Sequence, residues 1–224
     1  MKFRTNIEQR LSGRHKKCLE IIDFTNKKIL DIGCGYGWFE RFTEKKAKEI
    51  IALDPNREDL ENARKEVSSR KVRFVLGSAK NLSKLKIKDF DVITMFDVIE
   101  HIPRNSELGT LIQIKDMLKK GGKLIISTPA DNVLCDLLDP AWYFGHRHYS
   151  RKKLGKLLSD SGLAVKNTEI KGGFFEISSM ILFYPFKWIF NLEIPFKSFF
   201  DKKRDHEYLG NKGGIVTLFA TAEK

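Results

Sequence analysis

The stretch that most restricts the fold is Lys28 to Glu40, KILDIGCGYGWFE. An apolar run, Ile29, Leu30 and Ile32, is broken by one carboxylate, Asp31. It leads directly into Gly33, Gly35 and Gly37 and then into residues with helical spacing. This reads as strand, tight glycine turn, helix. Glycine has no Cβ, so the backbone can take positive φ and a ligand can lie against the main chain, while the first amides of the following helix present positive partial charge. A nucleotide-like cofactor is the natural occupant. The dinucleotide pattern G-x-G-x-x-G needs its third glycine at position 38, which is Trp38 here. The close helix–strand packing that accommodates a pyrophosphate is therefore missing, and nicotinamide or flavin is disfavoured.

A second apolar run, Ile50-Ile51-Ala52-Leu53, ends in Asp54. A carboxylate at the carboxyl end of the neighbouring strand is placed to accept hydrogen bonds from both hydroxyls of a ribose. Taken singly, the glycines also fit an ordinary tight turn and Asp54 an acidic turn before Pro55. The run from Asp31 to Gly37 resembles the D-x-G-x-G-x-G first motif of class I S-adenosylmethionine (SAM) dependent methyltransferases. That resemblance implies SAM as cofactor, with Gly33, Gly35 and Gly37 accommodating its methionine part and Asp31 helping to hold its amino group. It also implies a Rossmann-like α/β fold: a seven-stranded, mostly parallel sheet in the order 3-2-1-4-5-7-6, with helices on both faces.

Length fits one well-cored domain, since 224 residues are too few for two full ones. We expect an N-terminal helix in 1–25, the core in 26–171, an aromatic insertion in 172–210 and the last strand in 211–224. The 41 Lys and Arg exceed the 29 Asp and Glu, giving a net charge of +12. This favours phosphate-bearing or acidic partners without choosing among them. Cys18, Cys34 and Cys135 are odd in number and lack C-x-x-C spacing, which argues against a disulfide framework or a structural zinc site and fits a reducing cytoplasm. Charges run through the first twenty residues, so no signal peptide is expected, and no apolar run reaches the roughly 18 to 20 residues that span a bilayer.

In chain order, residues 6–24 form an amphipathic helix around Ile7, Leu11, Leu19 and Ile22. Its basic cluster, Gly13 to Lys17, reads as a solvated face, although in some relatives a basic residue just before the core reaches the SAM carboxylate, a role open to Arg14 or His15. Asn56 is an N-cap with Asp59 at the third helical position. Strand Val72–Leu76 delivers Gly77-Ser78-Ala79; relatives commonly carry an aspartate where Ser78 stands, bonding the adenine amino group, and serine accepts that bond only as a neutral group. Ser78, Ala79 and Phe96 complete the cofactor-binding set implied by the resemblance.

The strand from Phe90 runs into Asp97-Val98-Ile99-Glu100-His101-Ile102-Pro103, which looks like the fourth motif of small-molecule methyltransferases. An N/D-P-P-Y sequence, which would grip a flipped adenine, is absent, and no cysteine nucleophile stands at this strand end, so adenine amino-methylation and covalent cytosine methylation are both disfavoured. Asp97, Glu100 and His101 are donors that could hold magnesium. A structural Glu–His pair is the commoner outcome, and no metal is expected. A helix from Ser106 to Lys120 should bury Leu108, Leu111, Ile112 and Leu118 and close on Gly121-Gly122. Then come a strand at Leu124–Ser127, a sixth at Leu163–Ile170 and a seventh at Gly214–Ala222. Continuous apolar strands alternating with helices imply a parallel sheet covered on both faces.

Between Trp142 and Ser150 the loop carries His146-Arg147-His148-Tyr149-Ser150, resembling a signature of ubiquinone-biosynthesis-like methyltransferases. Ser150 is a helix N-cap and Tyr149 reads equally well as core. Imidazole titrates near neutrality and can take a proton from an acceptor hydroxyl, so His101, His146 and His148 are the catalytic candidates. The segment Gly172 to Tyr208 holds Phe174, Phe175, Phe183, Tyr184, Phe186, Trp188, Phe190, Phe196, Phe199 and Phe200, interrupted by Pro185 and Pro195 and followed by Lys202-Lys203-Arg204. It fits a lid over an apolar acceptor or a peripheral membrane contact across 174–204, and equally a helical pair packed on the core or on a second copy of the chain. The expected function is methyl transfer from SAM to a small apolar, lipid- or quinone-like acceptor. An RNA-modifying enzyme using the net charge, or a non-catalytic SAM-binding protein, stays open.

Overall fold

The computed structural model describes residues 11, 13–138, 142, 145–185 and 197–224. At its centre is β1 (Lys28–Ile32), buried from Ile29 onward because it is flanked on both sides by parallel partners. β2 (Glu49–Asp54) and β3 (Val72–Leu76) extend the sheet on one side, and β4 (Phe90–Phe96) and β5 (Leu118–Pro129) on the other. β7 (Thr217–Glu223) pairs antiparallel with both β5 and β6 (Ala164–Lys171). The order is 3-2-1-4-5-7-6, as expected. Strands buried on two faces need no polar alternation, which is why Ile50 to Leu53 reads as an unbroken apolar run and Val92 to Met95 is interrupted by Thr94 alone.

The helices are α1 (Gly13–Glu20), α2 (Trp38–Thr43), α3 (Arg57–Glu66), α4 (Glu107–Met117), α5 (Val133–Leu138), α6 (Arg151–Asp160), α7 (Phe174–Pro185) and α8 (Lys197–Leu209). Two caps are as read from sequence: Asn56 Oδ1 accepts the amides of Glu58 and Asp59, and Ser150 Oγ accepts that of Lys153. Three readings need correction. Of the helix expected across 6–24, the described helical part is Gly13–Glu20; Leu11 and Ile22, expected within it, lie outside it, and Ile7 lies outside the described residues. α5 was not anticipated. Helix α4 ends at Met117, and Lys119 to Gly122 belong to a twelve-residue β5. The cause is pairing: Leu118 pairs with Phe90, Lys119 bonds Asp91, and Gly121 and Gly122 exchange backbone hydrogen bonds with Lys224. The buried stripe of α4 is Glu107, Leu111, Ile114 and Met117, so Leu108 and Ile112 are exposed rather than core.

α1 lies against α8 so closely that a Cβ on Gly13 would sit 2.6 Å from the Arg204 carbonyl oxygen. Among the described residues no helix is long and apolar enough to cross a membrane.

Candidate functional site

The site is built at the carboxyl ends of β1, β2 and β4. All three glycines of the turn take positive φ: 79° at Gly33, 51° at Gly35 and 81° at Gly37. The outer two are closed off, since a Cβ on Gly33 would lie 2.3 Å from Val98 Cγ2 and one on Gly37 2.9 Å from Ala63 Cβ. Gly35 faces open space, with no heavy atom within 4 Å of such a Cβ. Its amide donates to Asp54 Oδ2 at 2.9 Å, while Asp54 Oδ1 accepts the Asn56 amide at 2.8 Å. The turn and the acidic end of β2 are thus one rigid unit around a cradle where a ligand can meet backbone.

Beneath this turn is a buried cluster of acidic groups. Asp31 is buried and its Oδ1 accepts the Thr94 hydroxyl. Glu40, from α2, is 0 % exposed and neither of its oxygens receives a hydrogen bond. Burial pushes the Asp31 carboxyl up to about 6 and Glu40 well above the usual carboxylate range, with each acid acting on the other. Burial, then the same acids, keeps the Cys34 thiol protonated. The cradle therefore suits a ligand bearing positive charge. Ser78 caps the 3₁₀ turn Ala79–Leu85, accepting the Lys80 amide, and the Gly77 amide donates to the Asp54 carbonyl, which draws Ser78 and Ala79 to the same sheet edge. Phe96 is buried in an aromatic group with Trp38 and Phe39, its ring centroid 5.7 and 5.5 Å from theirs. Arg14 is paired with Asp97 at 2.9 Å, and His15 packs edge-on to Trp38 and is pushed down to about 3 by burial and then by Arg14.

Val98 packs on Gly33 and opens the 3₁₀ turn Ile99–His101, so the glycine turn and the histidine-bearing turn touch. That second turn is held by Arg147, which donates to the carbonyls of Ile99, Glu100 and Ile102 and pairs with Glu107 of α4. Arg147 is buried and committed to the fold, not aimed at a substrate. Tyr149 is likewise core, its hydroxyl reaching the Ile99 carbonyl. A sequence sign of this arrangement exists in Glu107, an acid on the apolar stripe of α4.

The arrangement brings two of the three catalytic candidates together. His101 Nε2 and His146 Nε2 are 3.2 Å apart, at the mouth of a cleft of about 410 Å³ lined also by Glu100 and Arg104. Two nitrogens at that distance cannot both present lone pairs, so one donates a proton to the other unless a cation lies between them. Burial, then His146, lowers the pKa of His101. Glu100 Oε2 accepts the Thr128 hydroxyl at 3.0 Å and Oε1 lies 3.9 Å from His146 Nε2. Burial raises the Glu100 carboxyl well above its usual range. Glu100, His101 and His146 present donor atoms within 4.8 Å of one another, a set able to hold a divalent cation. His148 is buried deeper, its Nδ1 2.6 Å from Asp136 Oδ1, and lines an adjoining cleft with Trp142 and Lys153. Asp136, which fixes that ring, carried no sequence signal.

The model of a family described as a methyltransferase domain matches residues 3–168. A ubiquinone biosynthesis O-methyltransferase of Aliivibrio fischeri is 30% identical over 109 residues, 48% of this chain and 46% of that protein. A tRNA U34 carboxymethyltransferase of Pseudomonas paraeruginosa is 33% identical over 110 residues, 48% of this chain and 34% of its own length. The chain thus spans less than half the length of these curated relatives. A SAM-dependent methyltransferase structure from Archaeoglobus fulgidus shares the fold with a TM-score of 0.68 at 18% identity, over 99% of this chain and 96% of that one.

Proposed function

The chain belongs to the methyltransferase-domain family, and from that premise we propose that it methylates a small apolar, lipid- or quinone-like acceptor with SAM as its cofactor. The observation that carries the acceptor side of this reading is the His101–His146 pair, one turn from Gly33 and open to a cleft of small-molecule size.

When bound, SAM supplies a methyl group already activated by its sulfonium. The residues of this chain have two tasks, alignment and proton removal. Gly33, Gly35 and Gly37 would cradle the methionine part, Asp31 would draw its ammonium, and Asp54 would accept from the ribose, its carboxylate held in place by the Gly35 and Asn56 amides. Ser78 and Ala79 border the adenine side, and Phe96 with Trp38 walls the turn. On the acceptor side, His101 and His146 take the proton of a hydroxyl lined up against the methyl group. Asp136 orients the buried His148 beside the second cleft.

The acceptor class rests on the ubiquinone biosynthesis O-methyltransferase relative and on the exposed apolar residues of α5 and α7. Labelled SAM supplied with the purified chain to a membrane-containing cell extract should place label in the organic phase. Label in tRNA instead would replace the acceptor with RNA, a reading favoured by the net charge of +12 and the tRNA-modifying relative. For the cofactor, Asp54→Ala should weaken SAM about tenfold or more, because a charged acceptor of two hydroxyls is worth roughly 1.5–3 kcal/mol. Unchanged affinity in a folded variant removes Asp54 from the site.

A further inference from the structure

The charge beneath the glycine turn exceeds what holding the turn requires. Asp54 is accounted for by two amides and Asp31 by one hydroxyl. Glu40 is not: its carboxyl is fully enclosed, receives no hydrogen bond, and meets the Asp31 carboxyl. Burying such a group costs folding energy, because its hydration is lost and only the Asp31 carboxyl meets it. Two carboxylates in contact must share a proton, and burial has raised both.

The groups facing the pair come from three places: Thr94 from β4, Cys34 from the turn and Asp54 from β2. None is cationic. On α2 itself, the Arg41 guanidinium reaches Glu44. The cluster thus lacks only positive charge. SAM and its demethylated product, S-adenosylhomocysteine (SAH), carry the same adenosine and amino acid ends and differ by one positive charge at sulfur. Hydrogen bonds to those shared ends cannot tell them apart, whereas a titratable pair in a low-dielectric site can.

Resting on the assignment of SAM to this turn, we propose that the Asp31–Glu40 pair senses the cofactor's charge, with Glu40 as a positioning residue acting through Asp31. The pair is doubly ionised beneath the sulfonium form and holds one proton, taken from solvent, beneath the neutral product. It thereby retains SAM and weakens the hold on SAH after each turnover. Since SAM then binds with net proton release, its advantage over SAH grows as pH rises.

Calorimetric titration of the whole chain with SAM and with SAH, at pH 6 and pH 8, tests this. The ratio of the two dissociation constants should favour SAM about threefold or more at the higher pH in the wild type relative to Glu40→Gln, within the roughly tenfold per pH unit that one proton permits. The Glu40→Gln protein carries whatever pH dependence belongs to the cofactors' own groups. Glu40→Asp should restore part of the difference, and Glu40→Met, which fills the space without a polar atom, should behave as Glu40→Gln if that variant does not fold. A purely structural Glu40 would change the melting temperature and leave the ratio alone. Identical ratio-against-pH curves for wild type and a folded variant overturn the proposal. Failure of the wild type to bind either ligand is a different result, which removes the SAM assignment and this inference with it.

Discussion

His101 and His146, 45 residues apart in the chain, bring their Nε2 atoms to 3.2 Å because Arg147 pins the turn bearing one to the loop bearing the other. A base must be neutral to act, and burial, followed by His146, lowers the pKa of His101. Activity should therefore persist as pH falls through the ordinary histidine value of about 6.5 and be lost only below it. His146→Gln removes the largest of the depressing influences after burial, so the acid limb of kcat/KM should move up toward the ordinary value. Either His101→Gln or His146→Gln should lower kcat by about 10²–10⁴-fold. An acid limb that stays put in both variants would show that another group takes the proton.

The same pair with Glu100 forms the one described set of three donors close enough for a metal ion. We expect proton sharing rather than a cation there. The single carboxyl of the set is pushed toward its neutral form by burial and then by Asp97, and the guanidinium of Arg147 is seated on the same turn. Methyl transfer should survive exhaustive chelation unchanged. Loss of activity on chelation, restored by magnesium or zinc, would put a cation between the imidazoles.

Arg147 offers a sharp contrast between reading a motif and reading a structure. It stands between the two candidate histidines of H-R-H-Y-S, yet its guanidinium is spent on three carbonyls and Glu107. Arg147→Ala leaves Glu107 as an uncompensated buried charge, a loss of about 3–5 kcal/mol in urea unfolding. A fully stable Arg147→Ala protein with a raised KM would return the residue to the substrate side.

Where sequence reading succeeded, the information was local. The turn from Asp31 to Gly37 needs positive φ at three spaced positions, and only glycine supplies that without strain, so the residues announce the geometry. Asn56 and Ser150 cap helices with their own side chains. What escaped was long-range. The end of α4 at Met117 depends on pairing with Asp91 and Lys224, and the orientation of His148 on Asp136. Glu40 reads in sequence as an ordinary helix residue, and only the meeting of α2 with Asp31 makes it exceptional.

The aromatic insertion carries the last prediction. Trp188 and Phe190 lie outside the described residues, but α7 and α5 adjoin and both carry exposed apolar side chains. Phe174 is 72% exposed and Val133 81%, with Ile181, Leu182 and Phe199 also outward. Lys203 lies over the rings of Phe175 and Phe199, about 5.7 and 5.6 Å from their centroids, so a cation stands at the edge of that face. An outward apolar surface rimmed by lysines fits an anionic bilayer, where each basic residue near the surface adds on the order of 1 kcal/mol. Wild type should co-sediment with vesicles containing anionic lipid and release as salt rises. Ile181→Glu, Leu182→Glu should stay in the supernatant. Both residues are exposed, so the double variant should keep its stability to within about 0.5 kcal/mol per site, which separates lost docking from lost folding. Equal sedimentation of wild type and the stable double variant, or none by either, would mean that another surface meets the lipid or that no surface does, and the acceptor would then have to reach the clefts from water.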